Sequence, residues 1–182
     1  MRKLILILFL MIPINQAFAS IKNSIIENLK NIENVSFNFE QNINGKTENG
    51  NCIIEYPKKI FCKYNLSNKK ILVSNGKSLV IKTVASYYLY PLEKTPLDLL
   101  LNKEFLLNKI TNLNERIIDD KFINYNFSEN DNEINIFFNK DNYNLIGWQT
   151  LDIYQNLSIT YLNSIIKNKE LSKNLFQLPK QN

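Results

Sequence analysis

The stretch 90–110, YPLEKTPLDLLLNKEFLLNKI, decides how this chain is read, because almost everything around it reads as β-strand. Thr95-Pro96 is a helix start: Thr can cap the first turn, and Pro fits the first helical position, where its missing N–H costs nothing. Asp98, three residues after Thr95, completes a weak capping box and suits the positive helix end. Leu97, Leu100 and Leu101 share one helical face, whereas Leu99 and Leu106 lie off it. A helix that is apolar on more than one side needs two apolar neighbours. One is a sheet; the other is more protein, a partner or a ligand. The spacing therefore predicts either a core helix under a sheet or a lid over an apolar cavity.

Outward from this stretch the period changes to two. Val35, Phe37, Phe39, Gln41 and Ile43 alternate with Ser36, Asn38, Glu40 and Asn42, which predicts a strand with one buried face. Asn44-Gly45 and Asn49-Gly50 read as turns. NCIIEYPKKIFCKY (51–64) reads as a hairpin bending at Tyr56-Pro57-Lys58-Lys59, and ILVSNGKSLVIK (71–82) as a second one with Asn75-Gly76 at its turn. A short aromatic strand covers 87–90. Beyond the Leu-rich helix, strands are predicted from Ile117-Ile118 and over 122–127, 133–138, 145–153 and 157–162, separated by Asn/Asp turns. LFQLP (175–179) supplies a last apolar anchor. Before all of these, Ile21, Ile25, Leu29 and Ile32 recur at helical spacing, which predicts an amphipathic N-terminal helix. The sum is an α+β fold with an antiparallel sheet of about 9–11 strands, one helix before it and one inserted. A sheet of that size curls, and its inner face needs covering.

The chain opens on Arg2-Lys3, an apolar run from Leu4 to Ile12, and Ala17-Phe18-Ala19 before Ser20, the pattern of a secretory signal peptide over 1–19. No Cys follows the run, so there is no lipobox, and residues 20–182 are expected to be one exported, periplasmic domain. Loss of Arg2 and Lys3 takes the net charge from +5 to +3, without a basic block of the kind nucleic-acid binding uses. The chain has no His. That removes Ser-His-Asp and Cys-His catalysis and His-ligated zinc, and no Gly-rich phosphate loop is present. No acidic pair stands out for carboxylate catalysis, so the expectation is a protein that is not an enzyme and carries no cofactor or metal.

Cys52 and Cys62 lie on the two arms of the 51–64 hairpin. A three-residue loop, 56–58, puts them opposite on one face; a loop of two or four residues puts them on opposite faces. The residues leave both a disulfide and a pair of buried small apolar side chains open.

Taken in order, these stretches resemble one family. An amphipathic helix is followed by VSFNFEQ (35–41), GNCIIEYPKKIFCKY (50–64), ILVSNGKSL (71–79), YPLEKTPLDLLL (90–101), a strand containing Trp148, and LFQLP (175–179). The pattern looks like the outer-membrane lipoprotein carrier family, LolA, in its short alphaproteobacterial-like form. The resemblance implies an incomplete, half antiparallel β-barrel whose helices close it as a lid. It implies a monomeric chaperone that takes triacylated lipoproteins as cargo from an inner-membrane LolCDE-type ABC complex to an outer-membrane acceptor resembling LolB. The family commonly has Arg just before the Pro of the second bend, tied to lid closure. Here that position is Tyr56, so Tyr56-Pro57 is the latch candidate, with Lys58 and Lys59 following.

On that resemblance the acyl-chain cavity is expected along Ile25, Leu29, Val35, Phe37, Phe39, Ile54, Ile60, Leu72, Leu79, Leu97, Leu100, Leu101 and Trp148. Each acyl chain is worth on the order of 10 kcal/mol of burial at ~0.8 kcal/mol per methylene. A carrier must shield much of that and still release it. The alternatives are an outer-membrane receptor on the same fold, which would need a lipobox Cys; another periplasmic lipid-binding or sensor domain; and a carboxylate hydrolase.

Overall fold

A computed structural model describes residues 20–129, 132–152 and 154–181; the expected signal peptide, 1–19, lies outside the described residues. The chain forms α1 (Ile21–Lys30), β1 (Asn34–Ile43), β2 (Lys46–Glu55), β3 (Lys59–Tyr64), β4 (Ile71–Asn75), β5 (Ser78–Lys82) and β6 (Tyr87–Pro91). A 3-10 turn (Leu92–Lys94) leads into α2 (Leu97–Leu100) and α3 (Lys103–Asn112). Then come β7 (Arg116–Ile118), β8 (Phe122–Glu129), β9 (Asn132–Asn139), β10 (Leu145–Leu151) and β11 (Leu157–Lys167). The strands make one eleven-stranded antiparallel sheet in the order β6-β5-β4-β3-β2-β1-β11-β10-β9-β8-β7. The two meanders are joined where β1 pairs with β11, so the central strand is the one whose alternation is clearest in the sequence.

The sheet is strongly curled but not closed. Tyr90 on edge strand β6 brings its hydroxyl within 3.4 Å of that of Tyr154, in the loop between β10 and β11. In strand order β6 stands six places from β11. A flat sheet would hold strands so placed roughly 29 Å apart at about 4.8 Å per spacing. The inner face is therefore a trough with one end curled over.

Two devices set the hairpins. Asn75-Gly76 makes the β4–β5 turn, with Gly76 at φ +95°, where only Gly is unstrained. Asn49-Gly50, which reads as a turn in the sequence, lies inside β2. A Cβ on Gly50 would stand 2.2 Å from the Lys63 carbonyl oxygen and 2.9 Å from the Phe39 ring, so this Gly permits close strand packing rather than a bend. The β2–β3 bend is Tyr56-Pro57-Lys58, with a cis Tyr56–Pro57 peptide and Lys58 at φ +66°. This three-residue loop pairs Cys52 with Cys62 across the two strands, and their sulfurs are bonded. The bridge closes a separation of ten residues. Loop entropy for a ring that short corresponds to about 2–3 kcal/mol. Replacing both cysteines by Ala is expected to lower the thermal midpoint by about 5–10 °C, measured by circular dichroism.

The inserted stretch is not one helix. Thr95 does not cap α2; its hydroxyl donates to the Leu92 carbonyl at 2.8 Å and finishes the preceding 3-10 turn. The chain leaves helical geometry again at Asn102, whose side chain accepts from the Phe105 amide at 3.1 Å and caps α3. The break resolves the two-sided apolarity: Leu97 looks one way from α2, while Leu106 and Ile110 of α3 are buried with α1.

α1 and α3 run antiparallel and brace each other. Lys103 donates to the Lys30 and Ile32 carbonyls at 3.2 and 2.9 Å, and Lys22 to the Thr111 carbonyl at 3.3 Å. Each lysine thus meets the electronegative end of the other helix. Beneath them, Ile123, Tyr125, Ile134, Ile136 and Phe138 of β8 and β9 are fully buried, and Phe105 packs edge-on against Phe127. This pair of helices fills one half of the trough. No helix among the described residues is long and apolar enough to cross a membrane.

Candidate functional site

The other half of the trough is open. A cavity of about 390 Å³ lies over β1–β5 and against β10 and β11, bordered by the start of α2. By the scale on which an engineered hole of about 150 Å³ takes one benzene, this is room for roughly one acyl chain.

Seven of the residues expected along the interior line this cavity: Phe37, Phe39, Ile60, Leu72, Leu79, Leu97 and Trp148. The Cys52–Cys62 bridge also forms part of its floor. Strand register explains the grouping. Phe37, Cys52, Cys62, Leu72 and Ile81 stand opposite one another across β1 to β5 in a single row. Ile60, Ser74 and Leu79 form the neighbouring row. Phe37 meets Trp148 edge-on at a centroid distance of 6.2 Å, joining the row to β10.

The other six do not line it. Ile25, Leu29, Val35, Ile54, Leu100 and Leu101 are buried in the core, under the helices or at the base of the β2–β3 bend. They satisfy the same apolar periodicity, but Ile25, Leu29 and Leu100 lie on the helices themselves, and all six pack into the core.

The latch candidate Tyr56 packs on the core as a partly buried ring, and burial pushes its phenol up to about 12. Its amide donates to the Glu33 carbonyl at 2.9 Å, and the Lys103 ammonium stands 5.8 Å over its ring. Pro57 continues the bend. The contacts from this bend to α2 come instead from Lys58. Its amide donates to the Leu101 carbonyl at 2.9 Å, and its ammonium pairs with Asp98 at 2.8 Å. Ser74 holds the Lys58 carbonyl at 2.9 Å, tying the bend to β4. Asp98, expected as half of a capping box, is thus the helical partner of a cross-element ion pair with both side chains at least two-thirds buried.

Sequence reasoning put Gln41 on the buried face of β1 but counted no polar side chain among the cavity candidates. Gln41, Tyr64, Thr150, Ser158 and Thr160 also line it, with the Lys70–Glu48 ion pair beside them. The signal was present, since Gln41 keeps the phase of Phe37 and Phe39 and so must face inward. Among the described residues, no cluster of three or more His, Cys, Asp or Glu is placed to hold a metal ion.

A family model described as outer membrane lipoprotein carrier protein LolA matches residues 30–179. No curated protein matches the chain by sequence. Among solved structures, an uncharacterised conserved protein from Thermus thermophilus is 7% identical with a TM-score of 0.50, covering 88% of this chain and 93% of its own. A LolA superfamily protein from Nitrosomonas europaea is 10% identical with a TM-score of 0.42, covering 86% and 97%. The Mycobacterium tuberculosis lipoprotein LppX is 11% identical with a TM-score of 0.45, covering 85% and 97%.

Proposed function

The chain belongs to the outer membrane lipoprotein carrier protein LolA family, and from that premise we propose that it is a periplasmic carrier that shields lipoprotein acyl chains in the half-trough cavity. The family fold is a lipid- and lipoprotein-binding type. The observation that carries the reading is the open apolar row itself. Phe37, Leu72, Leu79, Leu97 and Trp148 border open space, whereas the helices pack the rest of the trough. Aliphatic and aromatic walls without fixed polar partners suit flexible hydrocarbon. Cargo is received from an inner-membrane ABC complex of the LolCDE type and passed to an outer-membrane acceptor, so the carrier itself needs no nucleotide.

In this reading α2 is the movable wall. It is a single helical turn between two breaks, so few internal hydrogen bonds resist its displacement, and Leu97 would swing away from the cavity with it. The Lys58–Asp98 pair and the Lys58–Leu101 hydrogen bond hold it down in place of the family's arginine. Lys58→Met and Asp98→Asn are each expected to speed cargo release about five-fold, corresponding to roughly 1 kcal/mol. The double variant is expected to be no faster than either single one. Stopped-flow release of a fluorescent acyl ligand checks this cycle.

A second reading, a carrier of a single-chain lipid on the same fold, is favoured by the cavity's one-chain size. Incubation of the tagged protein with spheroplasts synthesising lipoproteins separates the two. A soluble one-to-one complex with a lipoprotein supports the first reading. Retention of lipoproteins on the membrane, with the protein carrying free lipid, supports the second.

A further inference from the structure

LFQLP (175–179), the last apolar stretch of the sequence, has its place on the far side of the cavity wall. On β4 and β5 the inward positions Leu72, Leu79 and Ile81 line the cavity, so Val73, Val80 and Lys82 face outward. Yet Val73 is 1% exposed and Val80 0%, and neither belongs to the core that packs under the helices. Both stand in an outward row, Ile53–Phe61–Val73–Val80–Leu89, that crosses β2 to β6. Burial ends abruptly at Leu89, which is 56% exposed. The outer face is therefore covered over β4 and β5 and bare at β6.

The cover is the segment 171–180, which pairs with no strand among the described residues. Lys59 of β3 holds its ammonium 5.8 Å from the centre of the Phe176 ring, and the Lys82 ammonium of β5 donates to the Lys180 carbonyl at 2.8 Å. Lys59 stands opposite Asn75, and Ile71, four residues earlier on β4, stands opposite Lys82. The line joining the two lysines thus crosses the sheet diagonally and passes over Val73. Its length is roughly 16 Å at about 4.8 Å per strand and about 3.3 Å per residue. An extended 176–180 reaches about 13 Å, and the lysine side chains close the difference. Upstream, 171–177 arches over a hollow of about 490 Å³ above Glu55, Lys59 and Asn75, so this part of the segment is not packed down.

The wall from β3 to β5 is one sheet layer thick, with the open cavity on its inner face and this segment on its outer face. Side chains that border space lose contacts on that side, so the outer contacts carry more of the wall's shape. We infer that 171–180 is a strap coupled to the cavity through this shared wall. Seated, it holds β3–β5 curled in the form that grips a chain; lifted, it lets the wall relax and the grip loosen. This rests on the acyl-carrier reading and adds to it a control on the outer face, across the sheet from α2. Coupling of this kind is reciprocal: a filled cavity holds the strap down by the same factor as the seated strap tightens binding.

Limited trypsin digestion of the intact protein, with and without a saturating fluorescent palmitoyl probe, tests the inference. Lys173 is an exposed residue in the turn of the strap. A protease needs a locally opened chain, so a cut after Lys173 that leaves the remaining chain whole reports lifting of the strap. The probe is expected to slow this cut about tenfold. Truncation after Glu170 is expected to weaken probe binding by the same factor of about ten, and Phe176→Ala by about three, both through faster dissociation. A cutting rate that the probe leaves unchanged overturns the inference, whether or not the truncated chain folds. Loss of 174–182 only together with digestion of the rest also overturns it, because the strap then opens only with the whole fold. So does a truncated chain that folds and binds the probe with unchanged affinity. All three results leave the carrier reading standing, whereas failure of the intact protein to bind the probe overturns both.

Discussion

Leu72→Trp is expected to weaken binding of an acyl ligand by a hundred-fold or more while leaving the fold intact. Leu72 stands in the middle of the apolar row, between Cys62 on β3 and Ile81 on β5, and faces the cavity. An indole at this position grows into empty space rather than into packed neighbours, so the overpacking penalty of a filled core does not apply. It occupies volume that the acyl chain would take. Displacing roughly four methylenes at ~0.8 kcal/mol each costs about 3 kcal/mol of binding. That corresponds to a factor of one to two hundred. Displacement titration measures the affinity, and thermal melting of the same sample shows that folding is retained.

Ile25→Ala is expected to do the opposite. Ile25 is fully buried on α1, one of two buried residues on that helix, and it lies in the core rather than on the cavity wall. Truncating a buried Ile costs about 2–5 kcal/mol, because the void is only partly refilled. For a domain of this size that corresponds to a drop of roughly 5–15 °C in thermal midpoint. Acyl affinity of the protein that remains folded should change little, since no cavity surface is removed. A variant that melts normally but loses acyl affinity would move Ile25 from the core to the site. The two substitutions together separate the half of the trough that the helices pack from the half that stays open.

That separation is what the sequence does not display. Alternation at 35–43 and the Asn75-Gly76 hairpin announce the sheet, because residue phase and turn chemistry are local properties. The helix start at Thr95-Pro96 is legible for the same reason. Which part of an apolar face the helices cover is not local. Val35 and Phe37 have the same phase and neighbouring positions on β1, yet only Phe37 reaches the cavity. Asn49-Gly50 misleads because a Gly needed for close strand contact carries the same residue pair as a turn. The break at Asn102 is hidden because Leu101 and Lys103 on either side are good helix formers. The family's arginine position points to Tyr56, whereas the ion pair forms from Lys58, two residues on, because the three-residue bend turns that side chain toward α2.

The polar end of the cavity is a different kind of omission. Gln41, Thr150, Ser158 and Thr160 occupy inward phases of β1, β10 and β11, so their direction follows from alternation alone. A search for apolar side chains passes over them. A polar residue on the inward phase of a strand is the observation worth following, since burial of such a group is costly unless something meets it.

Photolabelling tests the central claim most directly. A palmitoyl ligand with a diazirine near the chain end is bound to the protein, irradiated, and its adducts are mapped by mass spectrometry of the digested chain. The account predicts adducts on Phe37, Ile60, Leu72, Leu79 and Leu97 and none on Ile25, Ile134 or Ile136. Adducts confined to the outer face of the sheet, at Tyr161 and Ile166, would contradict it, because the acyl chain would then lie where no trough shields it.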